Sequence, residues 1–445
     1  MWSGNRIIGT CLFQLALAAC GGGGELRMDA ALLESNPDLP IDNCTNGVRD
    51  GDETSVDCGG SACRRCVGGR TCAQATDCVS LRCTMGTCVG LTLSFQAASS
   101  TFVDSKPTGL AVGDLDENGK PDLVVACMGG DAEALLGRGD GTFRTVRLPT
   151  PAGALAPYRA FVGDLDGDHH QDVAVSYNWS RSVGIFRGHG DGSFDAPVVI
   201  PCGGGPTGLA LSDIDGDGIK DLVVNSSDDR RVQLLLGLGG TSFGSFGKPV
   251  EYGAFDGVDH LAVAQLGRGE GALAIIVGDV GGSFVGVLLR QGASQGLESL
   301  KQYPSGMSPT VIAVGDLDGD GLPDVATADW DGATSTVLLG DGMGGLALKG
   351  PSYPVGARPS GVAIADLDGD GNADLAVSTL DAKSVAVLTG LGDGTFVPQP
   401  LSTNWSGASL NGLVSADFDG DTFPDLALTN EPDGHEVLIF LNRSR

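Results

Sequence analysis

Acidic residues spaced 1-3-5-9 along a nine-residue stretch recur through the chain. Asp213, Asp215, Asp217 and Asp221 form one set, Asp316, Asp318, Asp320 and Asp324 a second, and Asp366, Asp368, Asp370 and Asp374 a third. Three further sets vary the pattern. Asp114, Asp116, Asn118 and Asp122 carry Glu117 where the others have their first Gly. Asp164, Asp166, Asp168 and Asp172 carry His169 at the second Gly, and Asp417, Asp419, Asp421 and Asp425 carry Thr422 there. Calcium takes roughly six to eight hard oxygens. Four such side chains, a backbone carbonyl at position 7 and water would supply them, and Gly at positions 4 and 6 lets the chain fold tightly round the ion. Calcium is therefore the expected cofactor. A merely solvated acidic surface would not repeat one spacing six times. His169 and Thr422 must take a backbone usually left to Gly, which would loosen their sites.

Other motifs carry less. Gly292-Ala-Ser-Gln-Gly296 has the form of a nucleophile elbow but sits in a Gly-rich turn rather than between a strand and a helix. Gly340-Asp-Gly-Met-Gly-Gly345 is not followed by a helix that could bind phosphate. Arg138-Gly139-Asp140 spells an adhesion tripeptide but occupies the slot of His189-Gly-Asp191 and Leu391-Gly-Asp393, so it reads as a turn. The five His residues, including His169 and His170, are not spaced as a triad or a metal pair. No catalytic residue is expected, and the chain does not read as an enzyme.

The acidic loops must be positioned by something that repeats with them. Aligning on Asp114, Asp164, Asp213, Gln265, Asp316, Asp366 and Asp417 gives steps of 50, 49, 52, 51, 50 and 51 residues. Each unit reads as four short strands: a run before the loop (Ala111-Val112), one after it (Leu123 to Ala126), one before a Gly-Asp-Gly turn (Val232 to Leu236), and one from the Phe after that turn (Phe143 or Phe194). Helical periodicity is lacking. Seven such units predict an all-β fold, a seven-bladed β-propeller with four-stranded blades, preceded by a small disulfide-rich module. The unit around Gln265 has lost all four carboxylates and reads as a structural blade. The last strand, His435 to Leu441, lacks a fourth partner, and the segment from Leu91 to Phe95 onward lacks a blade, so the two are expected to pair and close the ring.

The Asp-x-Asp-Gly-Asp-Gly-x-x-Asp loops with trailing Gly-Asp-Gly-Thr-Phe turns, as at Asp366 to Asp374 and Gly392 to Phe396, resemble FG-GAP/VCBS repeats such as those of the integrin α-subunit head. The resemblance spans nearly all of 91–445. It implies a calcium-binding propeller used in adhesion or ligand recognition.

The N-terminal part reads as an address. Arg6 and the apolar run Ile7 to Ala19 are too short to span a bilayer and fit a signal sequence over 1–19. Leu17-Ala-Ala-Cys20 resembles a bacterial lipobox, which implies lipidation of Cys20. An ordinary signal peptide cleaved before Cys20 is the alternative. Residues 20–43 read as a flexible tether. Residues 44–90 hold Cys44, Cys58, Cys63, Cys66, Cys72, Cys78, Cys83 and Cys88, which in an exported chain read as four disulfides of open connectivity. Cys63-Arg-Arg-Cys66 also has a redox or zinc spacing, but no His lies in the module. The segment Asn46-Gly-Val-Arg-Asp-Gly-Asp-Glu-Thr, followed by Asp57-Cys-Gly-Gly, resembles a cysteine-rich module on surface proteins of some Gram-negative bacteria, which implies a stalk or spacer and no catalysis. An exported lipoprotein of the outer membrane or cell surface is the expectation, with the lipid anchor as its only membrane contact.

Fifty-six Asp and Glu against 27 Lys and Arg give a net charge of −29, which argues against a nucleic acid partner. An extracellular glycan or protein ligand is expected instead. In a propeller the acidic loops and Gly-Asp-Gly turns share one face, and Trp179, Trp330 and Trp405 fall on the other, among polar residues. Exposed aromatics beside hydrogen-bonding groups suit sugar stacking; the alternative is that these Trp side chains fill gaps between blades. Tyr252, Tyr303 and Tyr353 recur just before blade links and read as packing. Two other function classes stay open: a polysaccharide lyase on a calcium propeller, which needs a clustered base and charge neutraliser, and a purely structural surface protein.

Overall fold

A computed structural model describes residues 83–84, 87–88, 93–239, 243–253, 255, 257–268, 273–290, 296–399, 410–430 and 434–444. The signal at 1–19, Cys20, the tether and the cysteine module up to Cys78 lie outside the described residues. So do Trp405 and the Ser294 turn. Within the module only a short hairpin is described, Cys83–Thr84 against Thr87–Cys88, with Cys83 opposite Cys88.

Seven antiparallel sheets form a seven-bladed propeller, and all described regular elements are strands. Blade 1 is typical: Pro107–Gly113, Asp122–Cys127, Glu133–Gly137 and Phe143–Arg147, each paired with the next. The second strand of each blade is fully buried except at one or two ends, as in Asp122–Cys127 and Asp172–Tyr177. Such strands are apolar on both faces because neighbouring blades cover both sides. The first strands line the central channel, each next to the first strand of the following blade. They approach closely: a Cβ on Gly109 would lie 2.6 Å from the Tyr158 carbonyl oxygen.

Blade 7 closes the ring as expected. Its fourth strand is Phe95–Phe102, paired with Glu436–Asn442, so the sheet joins both ends of the propeller. Two details differ from the sequence reading. In blade 2 the fourth strand is Val198–Pro201, not a run from Phe194. Phe194 makes only an isolated bridge to Gly188, because Pro197 between them and the strand has no N–H for the ladder. In blade 5 the outer edge is split into Leu346–Leu348 and Tyr353–Pro354, both on Thr334–Gly340.

The expected packing tyrosines do pack. Tyr252, Tyr303 and Tyr353 are half-buried against the interblade cores. The Tyr353 hydroxyl also accepts from the Phe396 N–H at 3.1 Å.

Candidate metal loops and channel mouth

Each acidic loop joins the first and second strands of its blade and is built the same way. The position-1 carboxylate takes the N–H groups of positions 4 to 6: Asp213 accepts from Gly216 at 2.6 Å and Gly218 at 2.9 Å. Position 5 turns back on position 7, as Asp217 does on Ile219 at 2.8 Å. Position 9 opens the second strand and is wholly buried, both oxygens holding backbone. Asp374 accepts from Leu367 on one oxygen and Gly390 on the other, each at 2.8 Å. The same pair of bonds recurs at Asp122, Asp172, Asp221, Asp324 and Asp425.

These turns also lock the ring. The carbonyl at loop position 2 accepts a bond from the next blade's Gly-Asp-Gly turn: Leu115 from Gly192 at 3.1 Å, Leu317 from Gly394 at 3.2 Å, Phe418 from Gly141 at 3.0 Å. The Leu367 carbonyl takes the Asn442 side-chain amide at 2.7 Å instead. Loops and turns thus share one face, as expected.

The carboxylates converge. One oxygen from each of Asp114, Asp116 and Asp122 lies within 4.8 Å of the others, and the same holds for Asp164, Asp166 and Asp172, for Asp213, Asp215 and Asp221, for Asp316, Asp318 and Asp320, and for Asp366, Asp368 and Asp374. The donors are hard oxygens, and Asp116 Oδ1 is buried with no partner of its own. The set fits a hard divalent cation. Burial pushes several of these carboxyls upward: Asp122, Asp172 and Asp324 to about 6, Asp425 and Asp368 to about 7, Asp374 to about 8, and Asp221, Asp366 and Asp370 also rise.

The three variant loops differ in ways the sequence signalled only in part. Glu117, His169 and Thr422 take positive φ of 54°, 73° and 76°, so the Gly conformation is retained at the cost of strain. In two of these loops an arginine contacts the carboxylates. Arg187 pairs with Asp166 and lies 3.4 Å from Asp168. Arg443 lies 2.6 Å from Asp419 and 2.7 Å from Asp421. Each guanidinium would compete with a cation for positions 3 and 5. Replacing Arg443 by Gln is therefore expected to tighten calcium binding in blade 7 severalfold while lowering stability in chelator, as read by calorimetric titration and melting. His169 is exposed, and His170 pairs with Glu117 of the neighbouring loop at 2.5 Å, so both act as loop residues.

Among its described residues, blade 4 has no such carboxylate set. Gln265 ends the first strand, and Arg290 at the end of its third strand reaches the Asp215 carbonyl of blade 3. Arg138-Gly139-Asp140 is a turn, with Asp140 accepting from the Thr142 N–H at 3.0 Å, and 340–345 leads into a strand. Cys127 and Cys202 are free thiols, and burial raises both.

On the opposite face the channel opens into a cavity of about 470 Å³ reached by all seven blades. Its floor comes from the second residue of each first strand. In four blades this is a hydroxyl, Thr108, Thr207, Thr310 or Ser360, and three of these bond to the next blade: Thr108 to the Tyr158 carbonyl at 2.9 Å, Thr207 to Val258 at 3.0 Å and Ser360 to Leu410 at 2.7 Å. Blades 2 and 4 break the pattern with Tyr158-Arg159 and Asp259-His260. Asp259 spans past blade 3: Tyr158 donates to it at 3.2 Å and Arg159 lies 3.8 Å away. Arg159 stacks on the Tyr158 ring and donates to the Thr108 carbonyl at 3.1 Å, while its Nε has no partner. Burial raises the Asp259 carboxyl and holds the His260 imidazole down at about 3.

The tryptophans divide. Trp179 is 68% exposed on the rim of blade 2 and fills no gap between blades. Trp330 lines the cavity itself. The two are one register apart. Trp330 donates its backbone N–H to Ser308, as Met128 does to Lys106 and Val280 to Gly257; in blade 2 the equivalent residue is Asn178, which donates to Ala156. Arg358 stacks on the Trp330 ring at 5.5 Å, and the preceding Asp329 is fixed by the hydroxyls of Thr327, Thr334 and Thr336.

Fold and loops together define a seven-bladed propeller with acidic loops that could hold metal. The FG-GAP-like repeat pattern matches residues 114–175, 164–224, 316–377 and 366–428, about half of the chain, and skips the blade that lost its carboxylates. The chain belongs to the FG-GAP-like repeat family. No curated relative matches it. Among solved structures, BBS1N in complex with ARL6DN is similar in a lead-soaked crystal (13% identity, 78% of this chain and 96% of that one, TM-score 0.51) and in a mercury-soaked one (14%, 78% and 96%, 0.52). These likenesses show the fold alone. An Agrocybe aegerita lectin, described as recognising non-reducing terminal N-acetylglucosamine, matches at 18% identity over 74% of this chain and 86% of that one, with a TM-score of 0.48.

Proposed function

We propose that this protein is a calcium-loaded binding module of the bacterial cell surface, without catalytic activity, that presents the face away from its acidic loops to an extracellular glycan. One observation carries the reading: Trp330 lines a largely apolar cavity with polar groups on its floor, on the face away from the acidic loops, and Trp179 is exposed in the corresponding loop of blade 2. A flat apolar ring beside hydrogen-bonding groups suits a sugar face. Calcium would neutralise the acidic loops and so support the turns whose position-2 carbonyls bond the next blade, as at Leu115, Leu317, Leu367 and Phe418. The lipid anchor at Cys20 and the cysteine module would hold the propeller away from the membrane.

A second reading has a specific observation behind it. Tyr158 and Arg159 at the channel mouth, with His260 next in sequence to the cavity residue Asp259, are the residue types a polyuronide lyase needs. One experiment separates the readings: incubation of the calcium-loaded protein with a glycan array, and with polyuronides while following absorbance of unsaturated product. Retention without product is expected. Product formation would establish a lyase, and no retention of any glycan would leave a structural protein.

Trp179→Ala is expected to leave the melting temperature unchanged, since the side chain is exposed, and to weaken glycan retention. A fall in stability would return Trp179 to a packing role.

A further inference from the structure

We infer that the channel mouth is a pocket for a single neutral sugar residue, held between Trp330 and the Tyr158–Arg159–Asp259 cluster. The inference rests on the glycan reading above and names the site and class of ligand. A propeller needs no such cluster to close its channel. Blades 1, 3 and 6 do so with Thr108-Gly109, Thr207-Gly208 and Ser360-Gly361, where hydroxyls bridge neighbouring first strands and Gly allows close approach. Blades 2 and 4 replace that economical pair with Tyr158-Arg159 and Asp259-His260 at equivalent positions, and Tyr158, Arg159 and Asp259 converge across the channel although about a hundred positions separate them. Departures from a locally consistent pattern are expected at functional sites.

The chemistry of the cluster selects the ligand. Arg159 and Asp259 are 12% and 25% exposed and face each other at 3.8 Å, too far for a tight bidentate pair. The Arg159 guanidinium, with its Nη2 facing the Asp259 carboxylate, offers donors and an acceptor together. Adjacent sugar hydroxyls can accept from one and donate to the other. The pair carries both signs of charge, so a neutral ring needs no counter-ion, whereas a uronate carboxylate would meet Asp259. Asn411 adds an amide to the lining, and Trp330, fixed by Arg358 and by the Asp329 hydroxyl cage, supplies the stacking face. The cavity, about 470 Å³, falls in the range of small-ligand sites.

The test compares the calcium-loaded full chain with a pattern-restored variant, Tyr158→Thr, Arg159→Gly, Asp259→Thr and His260→Gly, on a glycan array and by calorimetric titration with glucose, galactose, mannose, N-acetylglucosamine and glucuronic and galacturonic acids. The expected result is retention of glycans with neutral ends, measurable binding of at least one neutral sugar, and a loss of affinity of roughly tenfold or more in the variant. Val280→Trp is the second variant. It places a ring from blade 4 at the register where blade 5 already carries Trp330, so it should fold and block the pocket even if the fourfold variant does not fold. No glycan retained by the wild type would overturn the glycan reading and this inference together. Retention that survives both variants, or that is confined to uronates, would overturn the pocket while leaving the glycan reading standing.

Discussion

Stripping calcium at pH 8 is expected to lower the melting temperature by well over about ten degrees. An ion present at a hundredfold excess over its dissociation constant stabilises by about 2.7 kcal/mol. The three unmodified loops alone, in blades 3, 5 and 6, would then supply roughly 8 kcal/mol. For large domains each kcal/mol moves the midpoint by roughly two degrees. Once emptied, each loop holds carboxylates whose repulsion at about 4 Å is roughly 4 kcal/mol per pair at an effective dielectric of 20. The pH dependence carries a sign of its own. Asp122, Asp172, Asp324, Asp425, Asp368 and Asp374 sit at about 6 to 8 in the folded, metal-free chain, above their unfolded values near 4. The folded state therefore binds more protons than the unfolded one between about pH 4 and 8, and metal-free stability falls as pH rises through that window. Calcium holds the same groups ionised, so the loaded protein should lose stability on acidification instead. The gap between the two melting curves should be small near pH 5 and widest at pH 8. Curves that coincide at pH 8 would remove the metal from the account.

Asp374→Ala is expected to destabilise the protein by on the order of 3–6 kcal/mol, with or without calcium. Its carboxylate accepts from Leu367, Asp368 and Gly390, and truncation leaves those buried N–H groups without partners. The Leu367 carbonyl in the same turn receives Asn442 of blade 7, so the damage reaches the closure of the ring. Asp368→Ala should behave oppositely. Burial together with the charges of Asp370 and Asp366 pushes that carboxyl up to about 7, so its loss relieves the empty loop and costs stability only when calcium is present. Denaturant titrations of both variants, in calcium and in chelator, give four midpoints. Equal losses for the two variants would show that position 9 is a ligand like the others, not the anchor of its loop.

The blade count and the acidic loops were legible because each depends on residues close in sequence and repeated at a fixed period; the closing strand was legible because that period leaves a fourth strand over before the first blade and lacks one in the last. The position-9 anchor was legible as a carboxylate but not as a backbone clamp, since its partner Gly390 lies on another strand. Arg187 and Arg443 escaped notice because they reach their loops from the end of the third strand, one before and one after the backbone position that bonds to the anchor. The channel cluster was hidden for the same reason on a larger scale: Tyr158 meets Asp259 only through closure of the ring. A signal was available. Aligning the first strands at Thr108, Thr207, Thr310 and Ser360 isolates 158–159 and 259–260 as the departures that carry charge. Trp179 and Trp330 both fall in second-to-third loops, yet one residue of register sends one to solvent and the other into the channel.

Counting bound calcium by titration with native mass spectrometry tests the central claim most directly. Three ions should enter first, at Asp213, Asp316 and Asp366 and their partners. Up to three more should follow at higher concentration, at Asp114, where Asn118 replaces a carboxylate, and at Asp164 and Asp417, where Arg187 and Arg443 compete. The total should not exceed six. No bound calcium, or a seventh ion in the Gln265 to Leu273 loop, would contradict the account.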